Sequence, residues 1–117
     1  IVYTGDTGPS EAVEKLAQGA DILVIEMMDI PAVLANVRRI TPDMPEQQLR
    51  GIEWHFRAHH LLPDQVGELA ANASVAKVVV THMVPNVVNE AMDERYRAEI
   101  AEAFDGEIEI ADDLDQY

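Results

Sequence analysis

The chain has 117 residues, no cysteine, 48% hydrophobic residues and a formal net charge of -14 from 22 acidic and 8 basic side chains. That is enough apolar material for one core and not for two, and it excludes disulfides and thiolate metal ligands, so any bound metal must use His, Asp or Glu. The charge repels phosphate backbones and anionic lipid surfaces at long range, which argues against a membrane partner or a large nucleic-acid footprint.

Residues 1–4 form a short β-type run, and Gly5-Asp6-Thr7-Gly8-Pro9 is a turn. No charged and apolar leader precedes them, so the chain reads as starting in mid-fold, and cytoplasm and periplasm both stay open as compartments. Ser10 can cap a helix over 11–18, with Glu11 in its first turn and Gly19 beyond its end. Residues 21–26 contain Ile22-Leu23-Val24-Ile25, a continuous apolar run that predicts a strand covered on both faces. A helix over 30–39 is broken by Thr41-Pro42-Asp43-Met44-Pro45, and 46–59 is helical again. A third helical stretch over 63–71 precedes a strand over 76–81. A loop over 84–88, a helix over 89–104, a strand over 107–111 and an acidic tail complete the chain.

Strands alternating with helices predict an α/β layer fold, in which function collects where strands hand over to loops at their carboxyl ends. Asp6, Glu26 and His82 fall at or just after such ends. Taken alone, Asp6 is more simply a turn residue whose carboxylate binds a nearby amide.

Four segments resemble the metallo-β-lactamase-fold hydrolases, in the ribonuclease Z and arylsulfatase-like branch. Val2-Tyr3-Thr4-Gly5-Asp6-Thr7-Gly8-Pro9 is similar to the strand and loop whose Asp bridges two metal ions. Ala20-Asp21-Ile22-Leu23-Val24-Ile25-Glu26 is similar to the segment ending in a Glu that orients a histidine. His60-Leu61-Leu62-Pro63 matches the segment bearing that histidine, with Leu62 where the branch has Thr, a substitution that removes a helix cap worth about 1 kcal/mol. Lys77-Val78-Val79-Val80-Thr81-His82 looks like the strand ending in a metal-ligating histidine, and residues 104–114 are similar to the closing strand and acidic turn.

The resemblance implies an αββα sandwich, metal ligands Asp6 and His82, and a catalytic pair in which Glu26 holds His60 as acid or electrophile. It also implies two divalent ions, zinc by default with manganese or iron as alternatives, and hydrolysis of a small ester-type substrate by a metal-bound hydroxide. Phosphodiesters, sulfate esters and lactones are the classes in view. The signature H-x-H-x-D-H is absent from the sequence. The expectation is therefore a C-terminal portion of a single domain, inactive alone, whose N-terminal half is missing and which is open to homo-oligomer formation.

His55 and His59 are four apart on one helix, a spacing that can bind an ion, but partly exposed or packing histidines are the favoured reading. His60 rather than His59 is taken as the motif residue because it gives the H-x-x-P spacing to Pro63. The segment between Glu26 and His60 is either a lid or, preferably, core and oligomer surface, with Met27, Met28, Met44 and Trp54 as its apolar contacts. The rival readings are a noncatalytic, receiver-like α/β module and a subunit that completes the sheet of a separate chain.

Overall fold

The computed structural model describes residues 1–86 and 89–114. The elements run β1 (Val2–Tyr3), α1 (Glu11–Ala17), β2 (Ile22–Met28), α2 (Ile30–Ile40), α3 (Glu46–His59), α4 (Pro63–Ala73), β3 (Lys77–Val84), α5 (Glu90–Ala101) and β4 (Glu107–Ile110). The four strands pair in the order β1-β2-β3-β4, every pair parallel, so their carboxyl ends share one edge.

Leu23 and Ile25 of β2 and Val78 and Val80 of β3 point into a core shared with Val66, Leu69 and Ala70 of α4 and Tyr96 and Ile100 of α5. The backbones of α4 and α5 approach so closely that a Cβ on Gly67 would lie 2.3 Å from the Ile100 carbonyl oxygen. Any larger residue at 67 would push α5 off the sheet.

The expectation that β2 is covered on both faces holds for its carboxyl-terminal half and not for its start. The alternate residues Ile22 and Val24 at the start of β2 are half-buried, and Tyr3 and Ile1 are 69% and 83% exposed, whereas Glu26 and Met28, on the same face towards its end, are buried beneath the junction of α3 and α4. A continuous apolar run reports that both faces favour burial and carries no information on whether the second cover belongs to the same chain.

Several boundaries also differ: β2 runs to Met28 and α4 to Ala73, so Glu26, expected at a strand end, lies inside its strand. The third strand runs to Val84 instead of ending at Thr81, because Met83 and Val84 pair again with Met27 and Met28 after an irregularity. Thus Val84 belongs to a strand and not to the expected 84–88 loop, of which Val87 and Val88 lie outside the described residues, as do residues 115–117 of the tail. The last helix ends at Ala101 instead of 104, since the chain turns to bury the Phe104 ring, 3% exposed, against Gly106.

Asp29 joins four elements, the ends of β2 and β3, the start of α2 and the middle of α5. Its side chain accepts from the Ala32 amide at 3.1 Å, capping α2, and from the Tyr96 hydroxyl at 3.0 Å and the Arg95 guanidinium, both on α5. Its own N–H donates to the Val84 carbonyl at the end of β3, 2.8 Å away. Burial alone would push the Asp29 carboxyl up, but the Arg95, Ala32 and Tyr96 donors together hold it below the usual carboxylate value. The Tyr96 phenol is pushed up to about 12 by burial and by the neighbouring Asp29 charge.

These shifts set opposite pH limits. The contribution of Asp29 is present above the ordinary carboxylate range and is lost as pH falls through its lowered folded pKa. That of Tyr96 is present below the ordinary tyrosine pKa and is lost as pH rises through about 12. Tyr96→Phe is expected to lower unfolding free energy by about 1–2 kcal/mol near neutral pH and to flatten the loss of stability above pH ~10, as read by urea titration at stepped pH. An unchanged midpoint would show that the phenol is not bonded to Asp29.

Candidate metal and acid-base site

Glu26 lies inside β2, two residues before its end, and is 1% exposed. A buried carboxylate is tolerated only when its oxygens are satisfied. Here Oε1 accepts from the Leu61 amide at 2.9 Å, and Oε2 lies 3.1 Å from Nδ1 of His60, which donates to it. His60 is the C-terminal cap of α3, its backbone N–H bonded to the Phe56 carbonyl, so one residue both ends the helix and reaches the sheet.

The next helix starts without the side-chain cap that a Thr at 62 would provide. Asp64 Oδ1 takes the Gln65 amide at 3.0 Å, and Gln65 Oε1 takes the Leu62 amide at 3.0 Å. The amides at the start of α4 are thus partnered by its own first turn, which offsets the expected cap loss and keeps the His60-Leu61-Leu62 segment in place.

Asp6 stands on the loop after β1. Gly8, at φ +59°, brings this loop against the end of α3 so tightly that a Cβ would lie 2.6 Å from the Ala58 carbonyl oxygen. Donor atoms of Asp6, Glu26 and His60 all fall within 4.8 Å of one another. The fourth residue, His82, arrives by a different device. Between the pairs Ile25 with Val80 and Met27 with Met83, β3 has one residue more than β2, and His82 takes φ +47°, a left-handed conformation rare for a non-glycine residue. This bulge, directly opposite Glu26, brings His82 Nδ1 to 2.8 Å from Asp6 Oδ1, with both side chains about half exposed.

The structure thus places all four sequence-derived candidates, Asp6, Glu26, His60 and His82, at one carboxyl edge of the sheet. His55 and His59 are exposed and touch each other, their ring centroids 4.6 Å apart, and do not join the cluster. Met27 and Met28 are buried in the core, whereas Trp54 is 70% exposed. The Asp29, Arg95 and Tyr96 network that supports this edge was not anticipated, although Asp29-Ile30-Pro31 carries the cap-then-proline signal of a helix start. Beside His82 a cleft is lined by Thr81, Asn86, Asp112 and Asp113.

The chain is 33% identical over 114 residues to the ribonuclease Z of Mycobacterium avium (strain 104), an alignment that spans 97% of this chain and 36% of that protein. It is 31% identical over 114 residues to the ribonuclease Z of Mycobacterium tuberculosis (strain H37Rv), spanning 37% of that protein. No protein-family model matches. The crystal structure of the metallo-beta-lactamase fold protein YhfI from Bacillus subtilis superposes with a TM-score of 0.59 at 21% identity, covering 93% of this chain and 35% of that one. The chain has a metallo-β-lactamase-type fold. It spans about a third of the length of the relatives it matches.

A metallo-β-lactamase-type fold implies a divalent metal, and the donor set fits one in kind. Asp6 and His82 are partly exposed, adjacent and of the oxygen and nitrogen type that zinc, manganese or iron accept. Two ligands are fewer than the three or more protein donors a catalytic ion normally uses. Glu26 is committed to Leu61 and His60, which suits it to fixing a ring more than to binding an ion.

Glu26→Gln is expected to keep the Leu61 amide bond through its carbonyl oxygen while offering an N–H to His60 Nδ1. The neutral His60 ring would then move its proton from Nδ1 to Nε2, which long-range ¹H–¹⁵N spectra of the two proteins would show. An identical tautomer in both would mean that Glu26 does not set it.

Proposed function

We propose that this chain is the C-terminal portion of a metallo-β-lactamase-fold hydrolase that cleaves an ester-type substrate, with a phosphodiester favoured over a sulfate ester or lactone. The convergence of Asp6, Glu26, His60 and His82 on one sheet edge carries this reading, since they descend from four separate segments and include both ligand-type and acid-base groups. The name ribonuclease Z, borne by relatives at 31–33% identity, supports the phosphodiester class and RNA as its source, against the expectation from net charge. The uncovered face of β1 and the start of β2 supports a missing N-terminal half, which would both cover that face and supply the remaining ligands.

Asp6 and His82 are the residues that would hold the ion, zinc by default with manganese or iron as alternatives. A divalent ion bound there supplies Lewis-acid activation of water and neutralises charge on the attacked centre. His60 has the proton-transfer role. With Nδ1 held by Glu26, its Nε2 is the ring nitrogen left to deliver a proton to the leaving oxygen, an exchange that imidazole performs near neutral pH. Glu26 positions that ring, and its burial keeps water from the inner side of the pair.

In the full-length protein, His60→Ala is expected to lower kcat for bis(p-nitrophenyl) phosphate by about 10²–10⁴-fold with little loss of metal. Asp6→Ala and His82→Ala should instead lose metal, read by elemental analysis, and activity together. Chelation should abolish turnover and added Zn²⁺ or Mn²⁺ restore it. Wild-type turnover in His60→Ala, or activity indifferent to chelation, would sink the assignment. The 117-residue chain by itself should bind the dye ANS on its open sheet face and release it when the separately produced N-terminal half is added.

A further inference from the structure

Two histidines on α3 stand outside the Asp6, Glu26, His60 and His82 cluster. His55 and His59 are one helical turn apart and both exposed, with ring centroids 4.6 Å apart and ring planes inclined by 59°. Neither ring makes a hydrogen bond among the described residues; their contacts are with each other and, for His55, with Phe56. At about 100° per residue the two project within about 40° of each other, on a flank of α3 about 140° or more from Arg50 and Arg57. No guanidinium of this helix therefore stands beside the pair to repel a cation.

The separation of the rings matches what one ion requires. A first-row divalent ion about 2.0–2.1 Å from a ring nitrogen lies roughly 3.2 Å from that ring's centroid. Two imidazoles at neighbouring positions, about 90–109° apart at the ion, then have centroids roughly 4.5–5.2 Å apart. The 4.6 Å seen here falls in that range with no movement of the helix. Solvent has room to fill the other positions, since a Cβ on Gly51, one turn before His55, would meet nothing within 4 Å. Among the described residues the one cluster of three or more such donors is Asp6, Glu26 and His60, so the pair gains no carboxylate. Two imidazoles without a carboxylate suit copper, nickel and zinc, and do not suit magnesium, calcium or manganese, which take oxygen ligands. The net charge of -14 concentrates cations around the chain.

We propose that His55 and His59 form an additional, exchangeable site for an imidazole-seeking divalent ion, copper, nickel or zinc, that staples the last turn of α3. This stands apart from the hydrolase reading. The stapled turn is a junction: the backbone of Ala58 and His59 meets the Asp6 loop at Gly8, and His60, next in sequence, caps the helix and reaches Glu26. Fraying of this turn would separate residues 55 and 59 and release the ion, so occupancy holds the Gly8 and His60 contacts in place.

The test is calorimetric titration of the untagged full-length protein, as purified, with Ni²⁺, followed by elemental analysis of any metal released. One Ni²⁺ per chain is expected in addition to whatever ion the protein carries, with none released. His55→Ala and His59→Ala should each weaken this uptake at least tenfold, because a single imidazole remains. Cu²⁺ should bind more tightly than Ni²⁺, and Mg²⁺ not at all. Amide hydrogen exchange at residues 56–60 should slow on Ni²⁺ addition in the wild type and not in His55→Ala. Ni²⁺ taken up only in exchange for resident metal, or uptake unaltered in both variants, overturns the site. Uptake that needs both histidines but leaves exchange at 56–60 unchanged overturns the staple.

Discussion

The buried carboxylate of Glu26 is the constraint on which the site depends. At 1% exposure it has no water to turn to, so its two oxygens must find donors in the protein, and both come from the junction of α3 and α4. One carboxylate therefore fixes where α3 stops, where α4 begins and how the His60 ring is turned. Leaving either oxygen or the Leu61 amide without its partner would carry a desolvation cost of about 1–3 kcal/mol. The His60 orientation is consequently a by-product of folding and not an adjustment made when a ligand arrives.

Around this pair, the carboxyl edge is assembled from two kinds of support. Asp29 clamps the ends of β2 and β3 to the starts of α2 and the body of α5, through partners 66 and 67 residues away. Gly8 and Gly67 act by having no side chain, letting the Asp6 loop meet α3 and letting α5 meet α4. The rigid half of the site is thus the Glu26 and His60 side, and the half-exposed Asp6 and His82 side is completed by other means.

Much of this was legible in the sequence. Apolar runs at 22–25 and 78–80, the cap at Ser10 and the Pro and Gly breaks mark most of the elements, because each signal is local. The four candidate residues were legible because their flanks form compact motifs. What was not legible depends on distant partners. The Asp29 network joins residues far apart in sequence, the extension of β3 depends on pairing resumed with β2, and the open part of the second face depends on what lies outside these residues. The bulge at His82 has no glycine or proline to announce it, since its strain is held by paired residues on both sides.

That bulge also separates two things that a regular strand would tie together. Because β3 returns to register with β2 at Met83, the extra residue alters the aim of one imidazole while Val78 and Val80 keep their places in the core. Chemistry at position 82 can therefore drift over generations, gaining, losing or exchanging a ligand, without selection having to rebuild the interior that holds the sheet together.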